Sequence, residues 1–374
     1  MLDLRDRGQA YPRAMSDPIR MPASSAPTTA VGQSAATGWR SWLNADPLPW
    51  LLDGEEPAVR HRALRELMEL PADDPDVIAA RAAAMRSDPI ATILATQDAE
   101  GWWVHPGAGY GPKYSGTVWS LMFLDQLGAD GSDPRIRSAC DYVLEHTQAP
   151  TGGFAAVGGK QPAKGSYVVH CLNGNLLRAL IGFGWLDDER VQRSLDWQAA
   201  AITGEGDIRW YRSSTSGPGF QCAINEHLPC GWGAAKAVLA LARVPAEART
   251  PVVRRALVAG VEFLLSVDPA TARYPMGWGN TVPSRKWFKL GFPSGYWADI
   301  LQVMEGVCEA GFGADPRLAG AVDWLVSKQD RDGRFRNEDR YTGKMHIDVD
   351  RGRGPSRWVT LRAARVLEMV AEAG

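Results

Sequence analysis

A chain of 374 residues can form one large core or two ordinary domains, so its length leaves the number of domains open. A net charge of −2 at pH 7 provides no basic field for nucleic acid, and no apolar run reaches the roughly 18 residues of a membrane span. We therefore expect neither a nucleic-acid partner nor a membrane span, while peripheral contact with a membrane surface stays open.

Residues 1–38 make up the first segment, which is rich in Ala, Ser, Thr and Pro and has almost no apolar period. Such a segment buries too little apolar surface to offset the entropy of ordering it. We predict a disordered tail over residues 1–38 and a folded domain over 39–374.

Two features bear on the cellular compartment. The tail lacks the apolar core of a signal peptide. The chain has five cysteines, and an odd number in a chain of this size does not indicate a disulfide framework. Both observations predict a cytoplasmic protein.

The folded part repeats one unit, which consists of an apolar helix, a short turn, a second helix and a turn that ends on an aromatic residue. The closing aromatic residues are Trp103, Phe154, Trp210, Tyr274 and Phe335. A helix pair cannot bury its apolar face alone, so repeated pairs stack into an open solenoid or a closed ring. The sequence therefore predicts an all-α protein of five to six helix-pair repeats.

Three units end in the same local pattern, Gln-x3-Gly-x-aromatic. The copies are Gln97, Gly101 and Trp103; Gln148, Gly152 and Phe154; and Gln329, Gly333 and Phe335. These in-phase turns resemble the prenyltransferase and squalene oxidase repeats of the terpenoid cyclase and protein prenyltransferase superfamily, which includes the squalene–hopene cyclases. The resemblance covers about residues 50–370 and implies an α/α toroid whose inner helices surround an apolar cavity.

Three cysteines are placed so that the repeat would bring them together. Cys171 and Cys230 open the first helices of neighbouring units, and Cys222 and His227 precede Cys230 in one short segment. Three thiolates and one imidazole form a tetrahedral zinc site, so we predict zinc bound by these four residues. The alternative is that the cysteines are small buried side chains, as the apolar stripes indicate for Cys140 and Cys308.

The role of the zinc stays open, as does its fourth ligand. His227 is the nearest histidine, followed by His170 and the distant His346. A closed site of three cysteines and one histidine is normally structural, whereas three cysteines alone would leave a catalytic position open. Protein prenyltransferases hold catalytic zinc with Asp, Cys and His at a comparable rim, and this sequence departs from that pattern.

Two short acidic segments are candidates for a catalytic or a metal-binding role. Squalene–hopene cyclases protonate an alkene with an Asp-x-Asp-Asp motif, which is absent here; the nearest string contains Asp348 and Asp350, our candidate general acids. The alternative for both is a solvated loop. Asp187 and Asp188 resemble the magnesium-binding motif of ionising terpene synthases, but their position at a turn between helices favours capping.

Aromatic and basic residues at the starts of the inner helices predict a substrate-binding rim. The candidates are Trp119, Trp232, Tyr296, Trp297 and Trp358, with Arg209 and Lys286 as cations for a diphosphate. Aromatic faces stabilise carbocations, and converging cations bind phosphate oxygens. The alternatives are that the rings fill the core and that the cations are solvated.

Together these residues favour a zinc-binding enzyme of isoprenoid metabolism, similar to a terpene cyclase or a prenyltransferase, that binds an apolar prenyl substrate in a central cavity. Two other functions stay open. One is a zinc-containing toroid enzyme acting on a thiol or polar substrate, and the other is a non-catalytic toroid that binds a peptide or a protein.

Overall fold

The computed structural model describes residues 38–205, 216–274, 279, 282–295 and 297–374. The predicted tail, apart from Gly38, lies outside the described residues, as do Arg209, Trp210 and Tyr296. The described part of the chain forms thirteen α-helices, short 3-10 turns and isolated β-bridges. The all-α prediction is confirmed. None of the described helices combines the length and the apolarity that crossing a bilayer requires.

We number the helices in chain order. They are α1 (Leu48–Leu51), α2 (Pro57–Glu66), α3 (Pro75–Met85), α4 (Ile90–Ala95), α5 (Thr117–Gln126), α6 (Pro134–His146), α7 (His170–Gly182), α8 (Glu189–Thr203), α9 (Gly231–Ala242), α10 (Pro251–Leu264), α11 (Ile300–Glu309), α12 (Ala319–Val326) and α13 (Arg357–Ala373). The helices α5, α7, α9, α11 and α13 pack side by side in chain order, and α2 packs against α13. We call these six the inner helices.

The inner and outer helices differ in how they are buried. Every residue of α9 is buried, and so are nine of the ten residues of α5 and of α11. The helices α6, α8, α10 and α12, the second helices of their units, are the outer helices. The outer helix α8 buries one face only, as expected for an amphipathic helix whose other face is exposed to water.

Two of the outer helices begin with an aspartate cap. Asp133 and Asp188 accept hydrogen bonds from the N–H groups of Arg135 and Arg190 at 2.9 and 2.8 Å, so the capping interpretation of Asp188 is confirmed.

The Gln-x3-Gly-x-aromatic turn joins each unit to the next one. The Gln148 amide donates to the Gly152 carbonyl oxygen at 2.8 Å and to the carbonyl oxygen of Arg190, at the start of α8, at 2.6 Å. Gly152 has a φ of +98°, and a Cβ there would lie 2.6 Å from the Arg193 carbonyl oxygen. The buried Phe154 donates its N–H to Asn173 Oδ1 of α7 at 2.9 Å. Gln97 bonds in the same way to the carbonyl oxygen of α6 residue Arg135, at 2.9 Å. A glycine is therefore required where the following helix approaches.

The last copy of the turn contacts the beginning of the folded domain. The Gln329 amide donates to the Trp42 carbonyl oxygen at 3.0 Å, and a Cβ on Gly333 would lie 2.0 Å from the Ala45 carbonyl oxygen. On the inner side, Arg62 of α2 donates to the carbonyl oxygen of Gln126, the last residue of α5, at 2.6 Å. The row of inner helices therefore returns to its starting point.

Two glycine substitutions separate backbone strain from close approach. Gly184 has a φ of +83° with open space around its Cβ position, whereas the Cβ position of Gly152 overlaps α8. We expect Gly184→Ala to lower the free energy of unfolding by about 1 kcal/mol, and Gly152→Ala by roughly 2 kcal/mol more. Denaturant unfolding of both variants measures this difference. Equal losses would mean that the approach of α8 does not require the glycine.

Candidate functional site

The N-terminal ends of the inner helices meet at one end of the protein. We call this end the mouth, and define it by the first turns of α5, α7, α9, α11 and α13 and the loops that precede them. Trp232 of α9 meets Trp297, three residues before α11, with ring centroids 4.6 Å apart. Phe292, from the same loop, stacks on Trp358 of α13 at 4.5 Å. The predicted convergence of the inner-helix starts is therefore observed.

Cys171, Cys222 and Cys230 lie close together at the mouth. A Cβ on Gly233 of α9 would lie 3.7 Å from Cys230 Cβ and 3.9 Å from the Cys171 backbone nitrogen. Burial raises the pKa of Cys171 to about 12, and the neighbouring thiolates of Cys230 and Cys222 raise it as well. Burial likewise raises the pKa of Cys230 to about 12. These thiols stay protonated at neutral pH unless a cation joins them.

The structure does not show a metal site. Within the described ranges, no three His, Cys, Asp or Glu side chains are arranged to hold one metal ion. His227 is exposed and has a φ of +64°, and its backbone N–H donates to the Cys222 carbonyl oxygen at 2.9 Å. Both ring nitrogens of the buried His170 bond to protein groups, Gly217 O at 3.0 Å and Gln198 Nε2 at 2.9 Å. His346 Nε2 bonds to Ser115 O at 2.8 Å.

A wall of aromatic rings stands beside the thiols. Trp119 contacts Tyr110 and Tyr114 with centroids 5.4 and 5.0 Å apart, and Tyr114 contacts Tyr341 at 4.3 Å. Tyr110 lies near the thiols: burial raises its pKa, and the charge of Cys171 raises it further. Of the predicted aromatic residues, Trp119 belongs to this wall, Trp232 and Trp358 are buried elsewhere at the mouth, and Trp297 is partly exposed. The sequence did not single out the tyrosines, since none of them starts a helix.

Lys286 lies at the mouth, but it has a carboxylate partner. Its ammonium group is 2.7 and 2.9 Å from the two oxygens of Asp339, and 5.0 Å from the ring centroid of Trp297. A diphosphate would have to compete with Asp339 for this cation. Of the two predicted cations, Lys286 is therefore the one that the structure places beside the aromatic rings, while Arg209 lies outside the described residues.

A buried polar cluster beneath the thiols was missed by the sequence analysis. Lys236 of α9 donates to Gln302 Oε1, and Asp299 caps α11 by accepting the N–H of Gln302 at 2.8 Å. Burial lowers the pKa of Lys236 to about 7, and burial raises that of Asp299 against the opposing charge of Arg362. The sequence does contain a sign of this cluster: Lys236 is the one charged residue in a helix that is otherwise apolar, so a buried partner for it could have been expected.

Asp348 and Asp350 lie in the loop that precedes α13. Asp348 Oδ1 accepts the N–H of Gly343 at 2.7 Å, which closes a turn of the loop. Asp350 accepts hydrogen bonds from Asn337 and Ser356, and its charge contributes to the raised pKa of Glu56. Both carboxylates therefore have structural partners, and their role as general acids stays a prediction.

Charged side chains lie between the inner helices below the mouth. Arg362 and Glu305 form a buried bidentate pair with both N–O distances at 2.7 Å. Arg178 of α7 is 3.6 Å from Glu309 of α11, although α9 lies between these helices in the ring order, so this pair crosses the interior. The cavity that touches Asp299 and Gln302 has a volume of about 10 Å³, the space of a single water molecule. The described residues do not show the large apolar cavity that the resemblance implies.

Comparison with known proteins gives similarity to solved structures only. No family model matches the chain, and no curated protein matches its sequence. A protein from Actinoplanes is 13% identical over 78% of this chain and 99% of its own, with a TM-score of 0.31. The type II terpene cyclase MstE from Scytonema is 14% identical over 79% of this chain and 98% of its own, with a TM-score of 0.27. At such identities and scores, these similarities transfer neither the fold nor an activity.

The buried amine of Lys236 predicts a pH-dependent stability. Its pKa is 10.5 unfolded and about 7 folded, so between pH 7 and 9 the unfolded chain binds more protons and stability rises with pH. We expect a rise of roughly 2 kcal/mol in the free energy of unfolding of the wild type, and none from this source in Lys236→Met. Denaturant unfolding at the two pH values tests this. The same slope in both proteins would contradict it.

Proposed function

We propose that this chain is an α/α-toroid enzyme of isoprenoid metabolism whose reaction centre is the mouth. The toroid assignment is supported by the units that repeat in phase and by the contact of the last turn with Trp42 and Ala45. Ion pairs such as Arg362–Glu305 lie between the inner helices below the mouth. In this proposal the substrate presents one end to the mouth, where the thiols, the aromatic rings and Asp299 lie.

Asp299 is the observation that carries this proposal. It is buried at the start of an inner helix, 4% exposed, and burial raises its pKa, so that a carboxylic acid can persist there. It shares its cavity with the rings of Trp297 and Tyr341. The proton moves from the Asp299 carboxyl to one carbon of a substrate double bond, and leaves a carboxylate and a carbocation. The aromatic faces then stabilise the cation.

Zinc bound by Cys171, Cys222 and Cys230 is the second part of the proposal. The donor set suits a soft cation, because thiolates are soft ligands and burial raises the pKa of all three thiols, so that a bound cation would be needed to hold them as thiolates. His227 is the candidate for the fourth position, because it lies in the same short segment as Cys222 and Cys230. Bound zinc would supply Lewis-acid chemistry or hold a thiolate.

A polar or thiol substrate is the second candidate, and the charged interior favours it. Lys236, with a pKa of about 7, is a base that is half neutral at physiological pH, and the charge of Cys171 acts on it. These groups suit proton abstraction from a polar substrate as well as they suit a prenyl substrate. The activity measurement decides between the two substrate classes.

The activity test uses prenyl diphosphates of several chain lengths and squalene, incubated with zinc or magnesium and analysed by extraction. We expect turnover by the wild type and a loss of at least about 100-fold in Asp299→Asn, because the amide cannot donate the proton. Asp315→Asn is the matched control, since Asp315 caps a helical turn by accepting the Arg317 N–H at 2.9 Å, far from the mouth. Equal loss in both variants would remove Asp299 from the mechanism. No turnover of any prenyl substrate by the wild type would favour the polar class.

The metal test is the zinc content of purified protein after dialysis. We expect one zinc ion per chain in the wild type and loss of that zinc in Cys171→Ser, Cys222→Ser and Cys230→Ser, because each removes one of three thiolate ligands. Cys308→Ser is the control, since Cys308 is buried in α11 on an apolar stripe. Unchanged zinc in all variants, or none in the wild type, would refute the site.

A further inference from the structure

A second cavity opens at the end of the ring opposite the mouth. The last turns of α2, α5 and α7 and the residue that follows α9 surround it, together with α3. Its volume is about 560 Å³, a size typical of small-molecule sites. Exposed residues such as Arg65, Ala72 and Gly182 lie on its wall, so solvent reaches it. We call it the lower cavity.

The lower cavity is lined by more cationic than anionic side chains. Four arginines and one histidine line it, against three carboxylates. The basic residues are His61, Arg62, Arg65, Arg81 and Arg243, and the acidic ones are Glu66, Asp125 and Asp130. The adjacent loops also contain the acidic residues Glu69, Asp73, Asp74 and Asp187, but these do not line the cavity. An anionic ligand would therefore meet an excess of cations there.

Each carboxylate of the lining is already paired with an arginine. The nitrogen–oxygen distances are 2.6 Å for Arg62 and Glu66, 3.2 Å for Arg243 and Asp125, and 3.4 Å for Arg81 and Asp130. A guanidinium group carries five N–H donors, and a single carboxylate engages two of them at most in a bidentate pair. The three pairs therefore leave N–H donors for a ligand, and Arg65 adds a fourth guanidinium group.

The helix ends that border the lower cavity are hydrogen-bonded to arginines as well. The C-terminus of a helix carries partial negative charge on its last carbonyl groups, which would repel an anion. At the end of α5, the Gln126 carbonyl oxygen accepts from Arg62 at 2.6 Å. At the end of α9, the Ala242 carbonyl oxygen accepts from Arg249, which lies outside the lining, at 2.8 Å. These contacts offset the charge of both helix ends.

His61 contributes a buried ring nitrogen that has no partner. Its Nδ1 is closed to solvent, and no group of the described chain lies within hydrogen-bond distance of it. A Cβ on Gly128 would lie 3.6 Å from this nitrogen, so the glycine leaves space beside it. Burial, followed by the charges of Arg81 and Arg62, lowers the pKa of His61 to about 4. The imidazole is therefore neutral at pH 7, stands in a positive potential and can donate an N–H to an oxyanion.

We propose that the lower cavity binds a small phosphate monoester through its phosphate group. Guanidinium groups that converge with a neutral N–H donor match a doubly charged oxyanion. The cavity is larger than a phosphate group, and its wall includes the apolar side chains of Val77, Ala129 and Phe183, which would contact the organic part of the ester. This site is separate from the mouth, and its occupancy is measured without any prenyl substrate, so the inference stands without the proposed activity.

Calorimetric titration of the full chain at pH 8 tests the proposal, with glycerol phosphate and inorganic phosphate as the ligands. Both are mainly dianions at this pH, and His61 is neutral. We expect glycerol phosphate to bind more tightly than inorganic phosphate and both to bind more weakly as salt increases. Arg65→Gln and Arg81→Gln should each weaken the binding about tenfold, because each removes a charged donor.

A second pair of variants adds a charge and leaves the arginines in place. Ala72→Glu puts a carboxylate on the exposed wall and should weaken binding about tenfold, whereas the uncharged Ala72→Gln should bind like the wild type. Arg255→Gln is the arginine control, since Arg255 pairs with Glu205 at 2.6 Å outside the cavity. Thermal unfolding of each variant establishes that it is folded.

Four results would each overturn the proposal. The first is no binding of glycerol phosphate by the wild type, and the second is inorganic phosphate binding as tightly as the ester. The third is unchanged affinity in both Arg65→Gln and Arg81→Gln. The fourth is an equal loss in a variant and its control, either Ala72→Glu with Ala72→Gln or Arg81→Gln with Arg255→Gln.

Discussion

The hydrogen bond from a repeated glutamine position of one unit to the first turn of the next outer helix holds this structure together. The side-chain amide of Gln97 or Gln148 reaches across the turn and donates to a backbone carbonyl oxygen of that helix. The glycine four residues later allows that approach. The buried aromatic residue that follows donates its N–H to the next inner helix, so a single turn fixes two neighbours. Gln329 donates in the same way to the carbonyl oxygen of Trp42, near the beginning of the described residues.

Ring closure has a consequence for the chemistry. Because the inner helices lie side by side in one direction, their N-terminal ends, which carry partial positive charge, collect at the mouth. Ionisable groups are buried there, including Lys236 and Asp299, and burial shifts their pKa values in opposite directions. Groups with such shifts are common in reaction centres, although buried ion pairs also produce them. The thiols add a soft donor set at the edge of the same region.

The interior below the mouth serves a different purpose. Arg178, Glu309, Arg365 and Glu66 belong to four inner helices and form a partly buried network of charges. Removing one partner of such a network leaves an uncompensated charge that water reaches only in part, so the network favours a single arrangement of the helices.

The sequence by itself determined the helices, their pairing into units and the convergence of Cys171 and Cys230, because apolar period, Asp caps and repeat spacing are local or additive along the chain. It could also have identified Lys236, a lone charge in an apolar helix. Only the tertiary structure decided that Asp299 is buried and that Arg178 and Glu309, from non-adjacent inner helices, pair with each other. Those facts depend on which side chains face one another across the ring, and no periodicity along one helix records that.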